Sequence, residues 1–217
     1  MKKAANEQAA EVSAGLGEGD YRIIEKERCF DGFFKIDKLT ITHKLFAGGW
    51  IEPIQRELFV RGDATCLLPY DPVLDKVLLI EQFRVGACMR DTSPWLLEMI
   101  AGINEPDESP ESVARREAVE EAGIEVGEMV KICDYFVSPG GTNEKVHLYC
   151  AQADVAEAGG IHGLRDEGED IRVVVLSREE AYGLVRSGKI DNAASIMALQ
   201  WLQLNYQALV AKWAPQS

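Results

Sequence analysis

The stretch Gly102–Ile124, GINEPDESPESVARREAVEEAGI, constrains this 217-residue chain more than any other. Read as a helix, its core Arg116-Glu117-Ala118-Val119-Glu120-Glu121 sets three carboxylates at i, i+3 and i+4, offsets that share one face. At about 100° per residue, Glu117, Glu120 and Glu121 fall within about 100° of arc. Ala114, Ala118, Ala122 and Val119 fall on the other side, a small-residue stripe suited to packing on a sheet. Like charges at such spacing cost a bare helix roughly 0.2–0.5 kcal/mol per pair. A bound cation would offset that repulsion, and oxygen-only ligands point to a hard one, Mg²⁺ or Mn²⁺. The alternative is a solvated acidic helix face. The helix ends are also marked. Ser109 is a good N-cap, Pro110 suits the first helical position, and Glu111 suits the dipole. Gly123 stands where a left-handed residue would stop the helix.

Around this stretch the pattern is mostly strand. Residues 1–20 are small, polar and acidic, and read as a frayed terminus. Tyr21–Cys29, Phe33–His43 and Ile51–Val60 alternate as half-exposed antiparallel strands, with Gly48-Gly49 as a turn. They are expected to form a small N-terminal sheet over residues 21–60, separate from a larger domain over 61–217. Further strands are expected at Ala64–Pro69, Lys76–Phe83, Pro94–Ala101, Val130–Ser138, Lys145–Val155 and Ile171–Leu176. Helices follow from Ser177 or Arg178 to about Ser187, and over Asn192–Trp213. Strands on both sides of a central helix, with helices at the end, predict an α/β class, an α/β/α sandwich around a mixed sheet. Periodicity alone leaves α+β open.

Composition narrows the function. A net charge of −13 argues against nucleic acid or an anionic membrane as partner, because binding phosphate backbones needs clustered Lys and Arg. A nucleotide stays possible where metal neutralises its phosphates. Five cysteines, odd in number and without a CxxC, read as reduced thiols, mostly core residues. The first residues lack an apolar signal segment, and no run of about 18 apolar residues exists. The expectation is a soluble cytoplasmic protein.

Gly102–Ile124 resembles the Nudix box, G-x5-E-x7-R-E-U-x-E-E-x-G-U with U apolar, the signature of the Nudix hydrolases. Gly102, Glu108, Arg116, Glu117, Glu120, Glu121 and Gly123 match its fixed positions, and Ala118 and Ile124 its apolar ones. The resemblance implies the Nudix fold, which is the sandwich described above. Three further features resemble the ADP-ribose pyrophosphatase branch of that family. Pro139, within Ser138-Pro139-Gly140-Gly141-Thr142, stands fifteen residues beyond Ile124. The segment GIHGLRDEGEDIRV holds four acids, Asp166, Glu167, Glu169 and Asp170, in five positions; in isolation it would be a solvated loop. The closing Lys189–Ser195 segment and its Trp- and Leu-rich helix resemble the family's C-terminus.

The resemblance implies roles for particular residues. Glu117, Glu121, Glu169 and the Ala101 carbonyl would hold two or three Mg²⁺ ions, with Mn²⁺ as a substitute. Glu167 would be the base, Glu120 would orient ligands or join the cage, and Arg116 would position the glutamates. Substrate contacts would come from Arg56, Glu57, Arg84, Ser138, Pro139 and Gly140, with Ile103 and Glu144 as lesser ones. Phe33 and Phe34 match an aromatic pair that approaches adenine from the partner subunit. The implied protein is a homodimer with exchanged N-terminal strands that cleaves ADP-ribose. Another nucleoside diphosphate sugar such as GDP-mannose, or a non-catalytic ADP-ribose-binding module, are the alternatives. His43, His147 and His162 show no ligand spacing and receive no role.

Overall fold

The computed structural model describes residues 15–213. They cluster into two compact units, one reaching to Arg61 with Val137–Glu144 added, the other formed by Gly62–Phe136 and the chain from Lys145 onward.

The first unit is an antiparallel sheet of β1 (Tyr21–Asp31), β2 (Lys35–His43) and β3 (Ile54–Val60). Its Gly48-Gly49 turn has φ of +93° and +80°, which glycine reaches without a Cβ penalty. Asp37 on β2 is fully buried, and both Lys26 (2.9 Å) and Arg28 on β1 pair with it. Such partners are what a buried charge requires. All eleven residues of β1 are exposed, Ile23, Ile24 and Phe30 among them. Residues 1–14 of the expected frayed terminus lie outside the described residues. Its last part is ordered: Glu18–Asp20 form a 3₁₀ turn, where Asp20 accepts the Gly17 N–H (2.8 Å) and pairs with Lys44 (2.7 Å). Val137–Glu144 joins this unit because Phe59 N–H donates to Gly141 O (2.8 Å) and Arg61 N–H to Asn143 Oδ1 (3.1 Å).

The second unit is the sandwich. Its mixed sheet runs β10 (Ile161–His162), β11 (Ile171–Ser177), β5 (Lys76–Phe83), β4 (Ala64–Asp71), β9 (Lys145–Gln152), β8 (Met129–Phe136). Only β4 and β9 pair in parallel. The expected strand Pro94–Ala101 is two strands, β6 (Trp95–Glu98) on β5 and β7 (Ile100–Ile103) on β4. They arise because β4 and β5 pair at only two positions, Tyr70↔Val77 and Asp71↔Lys76, leaving the rest of each edge to another partner.

Strand alternation sorts the core into two layers. Cys66, Leu68, Tyr70, Val77, Leu79, Leu148 and Cys150 pack with α2 (Arg178–Arg186) and α3 (Ala193–Trp213). Leu67, Leu78, Ile80, Tyr149 and Ala151 pack against Ala114, Ala118 and Ala122 of α1 (Pro110–Ala122). The period-two reversal of side chains therefore gives each helical layer its own apolar face. Val119, expected in the alanine stripe, is instead exposed, since it lies about 100° past Ala118 and turns off the sheet. Three of the five cysteines lie in or against the core, Cys66 and Cys150 buried and Cys133 packed against it, whereas Cys29 and Cys88 are exposed; none forms a disulfide. No helix among the described residues is long and apolar enough to cross a membrane.

Candidate active site

The helix α1 is framed as its sequence demands. Ser109 Oγ accepts the Ser112 N–H (3.2 Å), Pro110 opens the helix, and Gly123 closes it at φ +64°. There Gly123 N–H donates to Val119 O (3.0 Å) and Ile124 N–H to Ala118 O (3.1 Å). The acidic face is not a solvated one. Glu117 and Glu121 are buried, and Glu120 is half-buried.

Arg116 gathers the acids of the box. Its Nε and Nη2 each donate at 3.1 Å to the two carboxylate oxygens of Glu108, a bidentate fork. Its Nη1 donates to Glu117 Oε1 (2.7 Å) and Glu120 Oε2 (2.8 Å). This pairing holds the Glu108 carboxyl below its ordinary range. Glu121 Oε2 accepts the Ala101 N–H of β7 at 2.8 Å, which ties the helix to the strand before the box. A Cβ at Gly102 would overlap the Glu117 carboxylate, so glycine here leaves the space that Glu117 fills.

Electrostatics follow from that burial. Burial pushes the Glu117 carboxyl up to about 7, against the pull of Arg116 and with the repulsion of Glu120 and Glu169. Burial, aided by the repulsion of Glu117 and Glu169 and opposed by the Ala101 N–H and Arg84, pushes Glu121 up to about 8. Buried acids that repel one another are stabilised by a cation between them.

The acid-bearing loop lies between β10 and β11. Gly163 N–H donates to Glu120 O (3.1 Å), which joins this loop to α1. Arg165–Glu167 form a 3₁₀ turn closed by Gly168 at φ +73°. Glu169 is half-buried and its Oε2 accepts the Leu164 N–H (2.9 Å). Glu167 is exposed, as are Asp166 and Asp170. Arg84, just past β5, binds Glu98 of β6 through Nε (2.7 Å). Ile103 at the end of β7 is 41% exposed and so available to a ligand.

The oxygen-only set of Glu117, Glu121 and Glu169, beside the space at Gly102, fits a hard divalent cation. Among the described residues, no group of three or more His, Cys, Asp or Glu side chains converges as a ready cage. Glu117 is turned to Arg116, Glu121 to Ala101 N–H and Glu169 to Leu164 N–H, so ligation requires these carboxylates to share or exchange partners.

The remaining expected residues belong to the first unit. Phe33 and Phe34 meet edge-on (4.8 Å), Phe34 meets Phe59 (5.0 Å), and Arg61 stands over the Phe34 ring (5.2 Å). Phe33 is 83% exposed, so it has the free ring face a ligand needs. Arg56 and Glu57 are exposed on β3, where alternation puts them on opposite sheet faces. Ser138 O accepts the N–H groups of Gly141 (2.9 Å) and Thr142 (3.0 Å), which makes Ser138–Thr142 a turn with Pro139 and Gly140 exposed. Glu144 is buried, and its Oε1 lies 3.3 Å from Arg61 Nε.

Sequence reasoning assigned no function to Glu98, Glu108 or Gly102, which pair with Arg84, anchor Arg116 and make room for Glu117. Glu108 and Gly102 were visible as fixed box positions. Glu98 carried no signal, because its partner is set by strand pairing.

The NUDIX domain profile matches residues 60–199, and the chain belongs to the Nudix family of hydrolases. It is 52% identical over 199 residues to the ADP-ribose pyrophosphatase of Escherichia coli K12, covering 92% of this chain and 95% of that one. It is 36% identical over 183 residues to the GDP-mannose pyrophosphatase of Pectobacterium atrosepticum, covering 82% and 91%. A crystal structure titled as an ADP compounds hydrolase shares the fold, with a TM-score of 0.64 at 20% identity over 88% of this chain and 98% of that one.

Proposed function

We propose that this chain is a divalent-metal-dependent ADP-ribose pyrophosphatase that hydrolyses ADP-ribose to AMP and ribose 5-phosphate. One observation carries the substrate: the 52% identity to an ADP-ribose pyrophosphatase spans nearly both chains, against 36% for a GDP-mannose enzyme. Glu117, Glu121, Glu169 and the Ala101 carbonyl would hold two or three Mg²⁺ ions. When bound, the metal neutralises diphosphate charge and polarises the phosphorus under attack.

The chain's own residues do the rest. Arg116 sets Glu117 and Glu120 at their places on α1, and Glu108 fixes Arg116 in turn. Glu167, exposed to water, takes the proton of the attacking water as the new P–O bond forms and the bridging P–O bond breaks. Arg84 contributes guanidinium charge to the diphosphate, with Glu98 orienting it. Phe33 and Phe34 supply rings for adenine, with Arg56, Glu57, Ile103, Ser138, Pro139, Gly140 and Glu144 as further substrate contacts.

The working form is a cytoplasmic homodimer. Residues 21–60 form its dimerisation sheet and 61–217 its catalytic domain. The fully exposed β1 with its apolar Ile23, Ile24 and Phe30 supports strand exchange. The five cysteines, none of them in a disulfide, support a reducing compartment.

The test is a panel of nucleoside diphosphate sugars with Mg²⁺ and identification of products. ADP-ribose should turn over fastest and release AMP. Faster turnover of GDP-mannose would overturn the substrate, and binding of ADP-ribose with no product would overturn catalysis.

A further inference from the structure

We propose that His162 is a positioning residue that docks the loop Gly163–Asp170 onto the C-terminal end of α1 and sets where Glu169 and Glu167 stand. This rests on the roles given to those acids above.

The loop has a slender base. Strand β10 is two residues long and pairs with β11 only through Ile161↔Arg172 and His162↔Ile171. Strand pairing leaves the eight residues that follow His162 without a ladder of their own. Two contacts hold the base to α1: the Gly163 N–H bond to Glu120 O and the His162 imidazole. It lies against Gly123 so closely that a Cβ there would stand 2.6 Å from His162 Cε1 and 3.1 Å from Nδ1. Gly123 is thus required twice, by its φ of +64° and by the ring seated on it. The ring also donates Nε2–H to Gly159 O (2.8 Å). A carbonyl only accepts, so this bond fixes the proton on Nε2.

From the ring the connection to the acids is short. Gly163, the next residue, sits at φ +99° and donates its N–H to Glu120 O (3.1 Å). A Cβ at Gly163 would stand 2.7 Å from Glu169 Cβ, so Glu169 folds directly over that glycine. Glu169 then accepts the Leu164 N–H (2.9 Å). Ring, glycine and carboxylate form one stack against α1. Removing the ring leaves Gly123 uncovered and leaves the Gly163–Glu120 backbone bond to hold the start of the stack without it.

The experiment compares His162→Ala and His162→Gln with wild type, reading kcat, KM for ADP-ribose, and Mn²⁺ affinity by titration without substrate. For His162→Ala, kcat should fall roughly 10–100-fold and Mn²⁺ affinity by roughly tenfold, the range seen when groups that orient metal ligands are removed. KM should stay within about threefold, because the ring touches none of the substrate residues. His162→Gln should recover most of both losses, since its amide can still donate to Gly159. Gly123→Ala displaces the ring, so its Mn²⁺ penalty should shrink when His162→Ala is added. Should His162→Ala fail to fold, His162→Asn takes its place, because its amide is too short to reach Gly159.

A His162→Ala enzyme with wild-type kcat and Mn²⁺ affinity would overturn the proposal. So would additive Gly123 and His162 effects, or a Gln variant as impaired as the Ala variant. A wild-type chain inert toward ADP-ribose would overturn the substrate instead, and the Mn²⁺ titrations would still test His162.

Discussion

Two kinds of carboxylate stand in the second unit, and they are built by opposite means. Glu117 and Glu121 rise from a capped helix, lie buried, and have oxygens tied to Arg116 and to the Ala101 N–H. Glu167 stands exposed on a single 3₁₀ turn, held by backbone bonds of its own loop. The helix acids sit where water is scarce and charge is costly, so their preference for a cation is strong. The loop acid sits where water arrives and leaves, which suits a group that takes a proton in every turnover. Under the proposed function, burial separates the metal ligands from the base.

Breaking the buried group should do the most damage. Glu121→Gln keeps the shape but removes a charge, and kcat with Mg²⁺ should fall on the order of 10³-fold. A variant keeping a tenth of wild-type turnover would remove Glu121 from the metal platform. Next comes the exposed group. Glu167→Gln should lower kcat by at least about 10²-fold while ADP-ribose affinity, measured by calorimetry, holds. Unchanged turnover would strike Glu167 out as the base, and Asp166 or Asp170 would be tested in its place.

A smaller effect is expected at Arg116. Lysine keeps the charge but cannot span Glu108, Glu117 and Glu120 together, so Arg116→Lys should lose roughly 10–100-fold in Mg²⁺-dependent activity. Equal loss at every Mg²⁺ concentration would show that Arg116 does not act through the metal ligands. The smallest effect concerns stability alone. Glu117 and Glu121 hold their protons more tightly folded than unfolded, with folded values of about 7 and about 8. Their contribution is therefore fully present below the ordinary glutamate range and is lost as pH rises through 7 and 8. In EDTA, the melting temperature should fall by on the order of 5 °C between pH 5.5 and 8.5. Glu121→Gln should flatten that slope and Mg²⁺ should reverse it. A slope unchanged in the variant would mean that other groups produce it.

Much of this was legible in the residues. Both α1 termini were marked by Ser109, Pro110 and Gly123, because caps and left-handed positions are local chemistry. Apolar runs placed β4 and β5 well, since both faces of these central strands are buried, and β9 was found from Lys145 but ends at Gln152 instead of Val155. The break between β6 and β7 was not legible. It depends on β4 and β5 parting after two paired positions, which no window of sequence reports. Val119 read as packing and proved exposed, because a helical wheel gives relative angle without saying which arc meets the sheet. Arg84 was found, but Glu98, its partner fourteen residues on, was not.

By itself, the sequence determined the reaction class, because Gly102–Ile124 matches the fixed positions of the Nudix box; helical spacing alone put three acids on one face and left their role open. It also determined where α1 begins and ends. The tertiary structure alone decided which of those acids are buried, that Gly102 yields its space to Glu117, and that His162 seats on Gly123. Those contacts join residues far apart in the chain, and only packing of the strands and α1 sets their distances.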